Sequence, residues 1–514
     1  MDKRTLGQVL AANIAHHGNR AAMIDGQSRS TYSEFGARIF KLAKVLADLG
    51  LSRGDRFAIF AKNGRSFEEL RWAGFVSGIV PVAVNWRLAP PEIEHVLNDS
   101  ACDIVFLDED YMDVFEHPDL RKWQDGLQQI GAHLEARIVK AEATGAPAQD
   151  GGIDPDDDAM LFYTGGTTGR SKGVRLSHWN IISCGLAFGL GLGARPDDVF
   201  LHVAPMFHSA DLLATGWFLN GAAHCYLPAF SPAGVLQTIT ENQASVTVMV
   251  PAMLMAVIGW PGLADADTSS LKTLIYGASP MAFEWVERVA AAFPDADFLN
   301  CYGLTEAAPD LTIFEAKAFR AAIESGDRNG IVTSVGKPNM LVDLRVVGPD
   351  GTEVEPGEDG ELWARGPNIM KGYLNLPEET ASAVSDDWLH TGDLARIDGQ
   401  GYVYLLDRLK DLVITGGENV YSSEVEAALH RHTSVSEAAV IGVADDRLGE
   451  SLFAVIVLRP DAEATPEELI SHCRSLIGGF KIPRRYAFVD TLPKSALGKV
   501  LKAELRSQYA TPSR

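Results

Sequence analysis

Three short runs of uninterrupted apolar residues, Phe57–Ala61, Val80–Val84 and Ile104–Leu107, follow one another in the first part of the chain, with segments of helix length between them. A strand that is apolar at every position has both faces covered, whereas a strand with one wet face alternates. The spacing therefore predicts parallel strands joined by crossover helices, an α/β architecture. The residues ahead of these runs agree. Thr31 and Glu34 form a capping box before Phe35, Ile39, Leu42, Leu46 and Leu49, which share one helical face, and Gly50 ends that helix. Nearer the N-terminus, Leu6, Val9, Leu10 and Ile14 recur at helical spacing between polar residues, which describes a surface helix and not a secretion signal.

At 514 residues, 46% of them apolar, the chain exceeds one typical domain, so a large lobe and a smaller one are expected. Its formal net charge of -23 argues against nucleic acid or an anionic membrane as the main partner. Five cysteines are scattered without CxxC spacing, so neither a disulfide framework nor a zinc site is indicated and a cytoplasmic location is expected. Val246 to Trp260 is strongly apolar but is interrupted by Pro251 and falls short of the roughly 20 residues that span a bilayer; it reads as a buried strand and helix. Gly145 to Asp158 is a polar break, read as an exposed loop. Leu341–Val347 and Gly360–Ala364 read as strands. Beyond residue 407 the pattern becomes that of a small α+β unit. Val435–Val443, Leu452–Leu458 and Tyr486–Val489 read as strands, and Thr465-Pro466-Glu467-Glu468 opens a helix with a capping box and proline in its first turn. We place the boundary near Lys410, dividing the chain into 1–409 and 410–514.

The most informative local feature is Tyr163-Thr164-Gly165-Gly166-Thr167-Thr168-Gly169-Arg170-Ser171-Lys172-Gly173, directly after the apolar run Ala159–Phe162. Closely spaced glycines let backbone N–H groups approach an anion, the hydroxyls add donors, and Arg170 and Lys172 add positive charge, a combination suited to a polyphosphate. It is not the G-x-x-x-x-G-K-[ST] loop, because Gly173 follows Lys172, and it is not G-x-G-x-x-G. A Gly-rich turn after a strand is the plainer alternative. The order of residues resembles the signature loop of the adenylate-forming superfamily, which includes acyl- and aryl-CoA synthetases, peptide-synthetase adenylation domains and beetle luciferases. Gly166 stands where serine is usual and Ser171 where proline is usual; both are small.

Further motifs of that superfamily follow in order. Asn300-Cys301-Tyr302-Gly303-Leu304-Thr305-Glu306 resembles its adenine motif, which implies that Tyr302 stacks on the base beside Gly303, that Thr305 meets the α-phosphate and that Glu306, with Thr164, holds Mg²⁺. Trp388-Leu389-His390-Thr391-Gly392-Asp393 resembles the motif whose carboxylate, here Asp393, accepts hydrogen bonds from both ribose hydroxyls. Asp407-Arg408-Leu409-Lys410-Asp411 is similar to the segment joining the two domains, implying a nucleotide contact for Arg408 and the hinge at Lys410. Gly416-Gly417 opens a segment resembling the one that lines the thiol tunnel, and Leu492-Pro493-Lys494-Ser495-Ala496-Leu497-Gly498-Lys499 resembles the motif ending in the catalytic lysine. Taken singly, each has a plain reading: Tyr302 as a core aromatic, Glu306 as a carboxylate at a helix start, the 407–411 segment as a solvated charge run, Gly417 as a turn and Lys499 as a solvent-exposed lysine. The resemblance spans nearly the whole chain.

The resemblance implies a large N-terminal domain of parallel sheets flanked by helices, a small mobile α+β C-terminal domain, and an AMP-forming acid–CoA ligase. Carboxylate and ATP give an acyl-AMP and pyrophosphate, and coenzyme A then displaces AMP. Lys499, Thr164, Glu306 and His208 are the catalytic candidates. The nucleotide falls to Thr164, Gly165, Gly166, Thr167, Thr168, Gly169, Lys172, Gly277, Ala278, Ser279, Tyr302, Gly303, Thr305, Asp393, Arg408 and Lys499, and coenzyme A to Gly416 and Gly417. Pro205-Met206-Phe207-His208 is similar to the motif at the junction of acyl pocket and thiol tunnel, so His208, Trp217 and Gly277 are the acyl-pocket candidates. A histidine satisfied by hydrogen bonds at a helix start is the plainer reading of His208. Amino-acid-activating relatives usually carry aspartate where Ser209 stands, and Asp211 reads as a cap for the helix that follows, so a fatty or aromatic acid is expected. The partners expected are the small-molecule acid, ATP and coenzyme A, with a homodimer as a candidate assembly. The competing readings are an adenylating enzyme with another acceptor, such as a carrier-protein phosphopantetheine, and a nucleotide-binding regulator without catalysis. No carrier domain is expected after Lys499, and the tail Ala510–Arg514 lacks a peroxisomal ending.

Overall fold

The computed structural model describes residues 2–509 other than Gln27, 142–151, 165–169, Asp327, Asn329, Gly416, Gly417, Asp446 and 495–498. The chain forms two compact units, one of residues 1–344 and 364–389 and one of residues 345–363 and 390–514.

The first unit is built on two largely parallel sheets. In the seven-stranded sheet, Asp158–Thr164, Val80–Ala83, Arg56–Phe60, Ile104–Leu107 and Leu127–Gln129 run parallel in that spatial order. The three apolar runs of the sequence are its middle, and Phe57, Ile59, Val82 and Phe106 are fully buried, as strands covered on both faces require. Lys172–Ser177 and Gly372–Tyr373 extend this sheet antiparallel beyond Asp158–Thr164. In the nine-stranded sheet, Ala21–Asp25, Ala223–Tyr226, Val199–His202, Val246–Met249, Thr273–Tyr276 and Asp297–Tyr302 are parallel neighbours. The expected helices are present: Leu6–His17 is capped by Thr5 with Gln8, and Tyr32–Asp48 by Thr31 with Glu34, its Phe35, Ile39, Leu42 and Leu46 fully buried. The stretch from Val246 divides at Pro251 into the strand Val246–Met249 and the helix Pro251–Ile258.

Two expectations need correction here. The segment after His208 is not one α-helix; it is a 3-10 turn, Ser209–Ala214, followed by a short α-helix, Thr215–Leu219. Asp211 does not cap it. Its carboxylate is 3% exposed and accepts from Arg71 Nη1 at 2.8 Å and pairs with His202 Nδ1 at 2.5 Å. Arg71 also pairs with Glu68, which accepts from Trp72 Nε1 at 2.7 Å, and His202 Nε2 meets His224 Nδ1 at 2.9 Å. Burial alone would raise the Asp211 carboxyl, but His202 and Arg71 outweigh it and hold it down at about 2. A buried carboxylate of this kind is stable only because its charge is met.

In the second unit the strand Trp388–Ile397 pairs antiparallel with Val403–Arg408, setting Asp393 directly opposite Arg408. Farther on, Val435–Asp445 and Gly449–Leu458 form a long antiparallel pair, and Gly449–Leu458 also pairs with Val413–Thr415 at its first residue and with the parallel strand Arg485–Phe488 from Phe453 to Ile456. Val440, Ala454 and Ile456 face Val425, Leu429 and Leu469 of the helices Ser422–His430 and Pro466–Arg474. Ile441, Val443 and Val455 face Leu505 of the helix Lys502–Tyr509. Alternate residues thus enter opposite cores, which is why Val435–Val443 reads as a nearly continuous apolar run. All five cysteines are free and buried, and burial pushes the Cys102 and Cys225 thiols up to about 12.

Asp211→Asn is expected to destabilise the protein by about 3 kcal/mol, because the change removes the carboxylate that faces His202 and one of the two that pair with Arg71, leaving Glu68 alone beside that buried guanidinium. Differential scanning calorimetry checks this; an unchanged first transition would mean that the buried network contributes no net stability.

Candidate active site

Parallel strands end on the same side of their sheet, and ligands of such sheets bind in the crevice beyond the carboxyl ends. Thr273–Tyr276 and Asp297–Tyr302 are adjacent with Tyr276 opposite Asn300, so the turns that follow them leave side by side. Two close approaches fix those turns. A Cβ on Gly277 would lie 2.6 Å from the Cys301 carbonyl oxygen, and one on Gly303 would lie 1.8 Å from that of Pro309, so neither position has room for a side chain. Ala278 adopts φ +68°, which turns the chain sharply after Gly277, with Ser279 next. Tyr302 and Gly303 are half-buried at the strand end, and Thr305 and Glu306 lie in the 3-10 turn Thr305–Ala307.

His208 follows a third strand of this sheet, Val199–His202. Its Nε2 is buried and has no hydrogen-bond partner among the described residues, contrary to the reading of a satisfied histidine at a helix start. Burial, with Arg87 second, pushes the ring down to about 3, so it is neutral at physiological pH and its nitrogen is poised for a partner from outside the chain. The neighbouring Ser209 hydroxyl bonds that of Thr305 at 2.9 Å, joining the His208 segment to the turn after Tyr302. Trp217 is not among these groups. Its indole is 1% exposed, packs on Phe188 and Phe200, and donates to Asp198 Oδ2 at 3.0 Å, so it belongs to the packed interior.

Thr164 ends the strand Asp158–Thr164 and pairs with Lys172 across a hairpin. Gly165, Gly166, Thr167, Thr168 and Gly169, which come between them in the chain, lie outside the described residues. The Lys172 ammonium stands 4.8 Å from the centre of the Tyr373 ring, and the Tyr373 hydroxyl donates to Glu306 Oε1 at 2.8 Å. Sequence reasoning missed Tyr373: it occupies a two-residue strand, too short to carry periodicity, and its partners are distant in the chain. Ser209 was weighed only for the charge it lacks.

In the second unit, Arg408 Nε donates to Asp393 Oδ1 at 2.7 Å, and Asp393 is 5% exposed. The 407–411 segment is not a solvated charge run. Asp407 accepts from the Ser422 backbone at 2.5 Å and hydroxyl at 2.6 Å, and Asp411 accepts from Arg506 at 2.5 Å. Lys410 is exposed as a residue, and desolvation, with Arg408 and Arg506 adding to it, lowers its ammonium from the usual lysine value. Lys499 is likewise exposed as a residue, yet the surroundings of its ammonium are dense enough that desolvation is the main cause pushing it down to about 8. Arg408 and Lys410 add to this shift, while Asp393 and Asp411 oppose it. Gly416 and Gly417 lie outside the described residues.

Residues 10–374 match the family model described as AMP-binding enzyme, and residues 424–499 match that described as AMP-binding enzyme C-terminal domain. The chain is 34% identical to a feruloyl-CoA synthase of Amycolatopsis sp, over 98% of each chain. It is 32% identical to the long-chain-fatty-acid–CoA ligase FadD13 of Mycobacterium tuberculosis, over 94% of this chain and 93% of that one. The fold resembles the crystal structure of ATP-bound MatB from Rhodopseudomonas palustris with a TM-score of 0.87 at 31% identity, covering 98% of this chain and 99% of that one.

Gly303→Ala is expected to lower stability by about 2 kcal/mol or more, since the backbone carbonyl of Pro309 has to move to admit the methyl group. A thermal melt checks this, and an unaltered melting temperature would show that the turn can open freely.

Proposed function

Because the chain belongs to the AMP-binding enzyme family and is an AMP-forming acid–CoA ligase, we propose that its acid is a fatty or aromatic carboxylate and that the residues gathered at the carboxyl ends of the nine-stranded sheet activate it. The observation that carries the choice of acid is the state of Asp211. It is the one acidic side chain of Ser209–Leu219, and Arg71 and His202 already neutralise it, so it is not available to pair with a substrate ammonium. Leu212, Leu213 and Ala214 of the same segment are buried and apolar. The feruloyl and long-chain fatty acyl groups in the relatives' names support the same class.

In the first half-reaction a carboxylate oxygen attacks the α-phosphorus of ATP, the bond to the bridging oxygen of pyrophosphate breaks, and acyl-AMP remains. In the second, the coenzyme A thiol loses its proton, its sulfur bonds to the acyl carbon, and the bond from that carbon to AMP breaks. Tyr302 stacks on adenine, Thr305 meets the α-phosphate, Asp393 accepts from the ribose hydroxyls with Arg408 orienting it, and Lys172 faces the outer phosphates with the 165–169 loop. The Lys499 ammonium meets the negative charge that builds on oxygen at the α-phosphorus. His208 stands where acyl group and thiol meet, Gly277 borders the acyl group, and Gly416 and Gly417 serve the thiol arm. Lys410 is the hinge about which 410–514 turns between the halves.

Mg²⁺ fits this donor set. The described residues contain no cluster of three or more His, Cys, Asp or Glu side chains able to hold a metal ion, and Mg²⁺ is ordinarily bound through one or two carboxylates together with substrate phosphates. Glu306 and Thr164 would hold it, and when bound it supplies positive charge to the phosphate oxygens. We place the protein in the cytoplasm, a reading supported by its five unpaired cysteines. Among the described residues no helix is long and apolar enough to cross a membrane.

Lys499→Ala is expected to reduce adenylation by several orders of magnitude while leaving thioester formation from supplied acyl-AMP largely intact; equal loss of both halves would remove the role given to Lys499. The ammonium is charged below about pH 8 and neutral above it, so kcat/KM for adenylation should fall as pH rises through 8. That limb should be missing from the residual activity of Lys499→Arg, whose guanidinium stays charged. A panel of fatty, aromatic and amino acids with ATP, Mg²⁺ and coenzyme A tests the substrate class by pyrophosphate release and thioester yield. Turnover confined to amino acids would refute it.

A further inference from the structure

We infer that Tyr373 is a positioning residue for adenylation: its hydroxyl fixes the Glu306 carboxylate and its ring seats the Lys172 ammonium, so that two opposite charges that serve the same polyphosphate are held apart. This rests on the assignment of Glu306 and Lys172 proposed above. Among the described residues Tyr373 contacts both. Its Oη donates to Glu306 Oε1 at 2.8 Å, and Lys172 Nζ stands 4.8 Å from its ring centre, within the range of a cation–π contact. An aromatic ring attracts a cation at its face while a phenol donates at its edge, so a single tyrosine satisfies a cation and an anion in different directions. A direct ion pair between Lys172 and Glu306 would neutralise the ammonium that attracts phosphate and the carboxylate that attracts the metal ion.

The backbone shows why Tyr373 is held for this purpose. The two-residue strand Gly372–Tyr373 pairs with the strand that begins at Lys172, with Tyr373 opposite Val174, and Leu374 N donates to Gly173 O at 2.7 Å. On its other side, Met370 N donates to the Glu306 carbonyl at 2.8 Å. Tyr373 N itself donates to Thr380 Oγ1 at 2.9 Å, which anchors the residue to the helix Pro377–Ala383. The segment 370–374 is therefore stitched at one end to the turn carrying Glu306 and at the other to the hairpin carrying Lys172.

The test compares Tyr373→Phe, which keeps the ring and loses the hydroxyl, with Glu306→Gln and with the double variant. Adenylation is followed by pyrophosphate release against Mg²⁺ concentration, Mg–ATP binding by calorimetry without acid, and the second half-reaction from synthetic acyl-AMP. Tyr373→Phe should lower kcat/KM for adenylation and raise the half-saturating Mg²⁺ concentration, each by about tenfold, the scale of one hydrogen bond to a charged group. It should weaken Mg–ATP binding in the same sense and leave thioester formation unchanged, and adding it to Glu306→Gln should cause no further loss. Wild-type behaviour of Tyr373→Phe beside a defective Glu306→Gln would overturn the role of Tyr373 and leave that of Glu306 standing. Wild-type Mg²⁺ dependence in Glu306→Gln would instead remove the underlying assignment. A lowered melting temperature with equal loss in both half-reactions would reduce Tyr373 to a structural part and likewise overturn the proposal.

Discussion

The parallel pairing of Thr273–Tyr276 with Asp297–Tyr302 is the contact on which the site depends. It brings the turn after Tyr276 so close to its neighbour that Gly277 lies against the Cys301 carbonyl, while within the turn after Tyr302 Gly303 lies against the Pro309 carbonyl. Parallel strands have their hydrogen-bonding groups satisfied by neighbours, so only at the ends do N–H groups and short side chains become available to a ligand. The site is thus a property of where strands stop. Thr305 and Glu306 are held by Ser209 and Tyr373, which come from other strand ends or from an added edge strand. A change in strand register would move all of these groups together.

What the sequence made legible was whatever depended on local pattern. The three apolar runs match strands to within a residue or so at each end, because burial on both faces leaves no other composition open to them. The capping boxes at Thr31 and Thr465 are each completed within four residues. Gly277 and Gly303 were legible because close approach of a backbone carbonyl excludes every side chain there. Long-range pairing was not legible. Asp211 looks like a cap in sequence, since Asp before an apolar stretch usually is one, yet its partner Arg71 lies 140 residues away. Glu68 and Arg71 look like polar positions of an amphipathic helix, but Arg65–Ser77 is enclosed on nearly all sides. Trp217 looks like a pocket wall because its apolarity says nothing about which side of the segment it faces.

The second unit poses a different electrostatic problem. Asp393 is buried against Arg408, and Lys499 feels Arg408 and Lys410 as like charges, so its ammonium is partly destabilised before any ligand arrives. An incoming anion relieves that repulsion. With the nucleotide contact proposed for Lys499, binding energy and the charge state of the lysine would be coupled, the cation being strongest where a phosphate stabilises it.

The five buried thiols have a consequence for the chemistry that this enzyme carries out. An acyl-adenylate is a reactive electrophile, and sulfur in its thiolate form is the nucleophile that attacks it most readily. Cys301 lies in the strand that ends at Tyr302, beside the residue proposed to stack on adenine, yet it is 8% exposed and burial pushes its thiol well above the ordinary cysteine value. The other four are closed off in the same way. With its own sulfurs kept protonated and out of reach, the protein leaves the intermediate a single sulfur to meet, the one that enters on coenzyme A, and so escapes acylating itself at cysteine between turnovers.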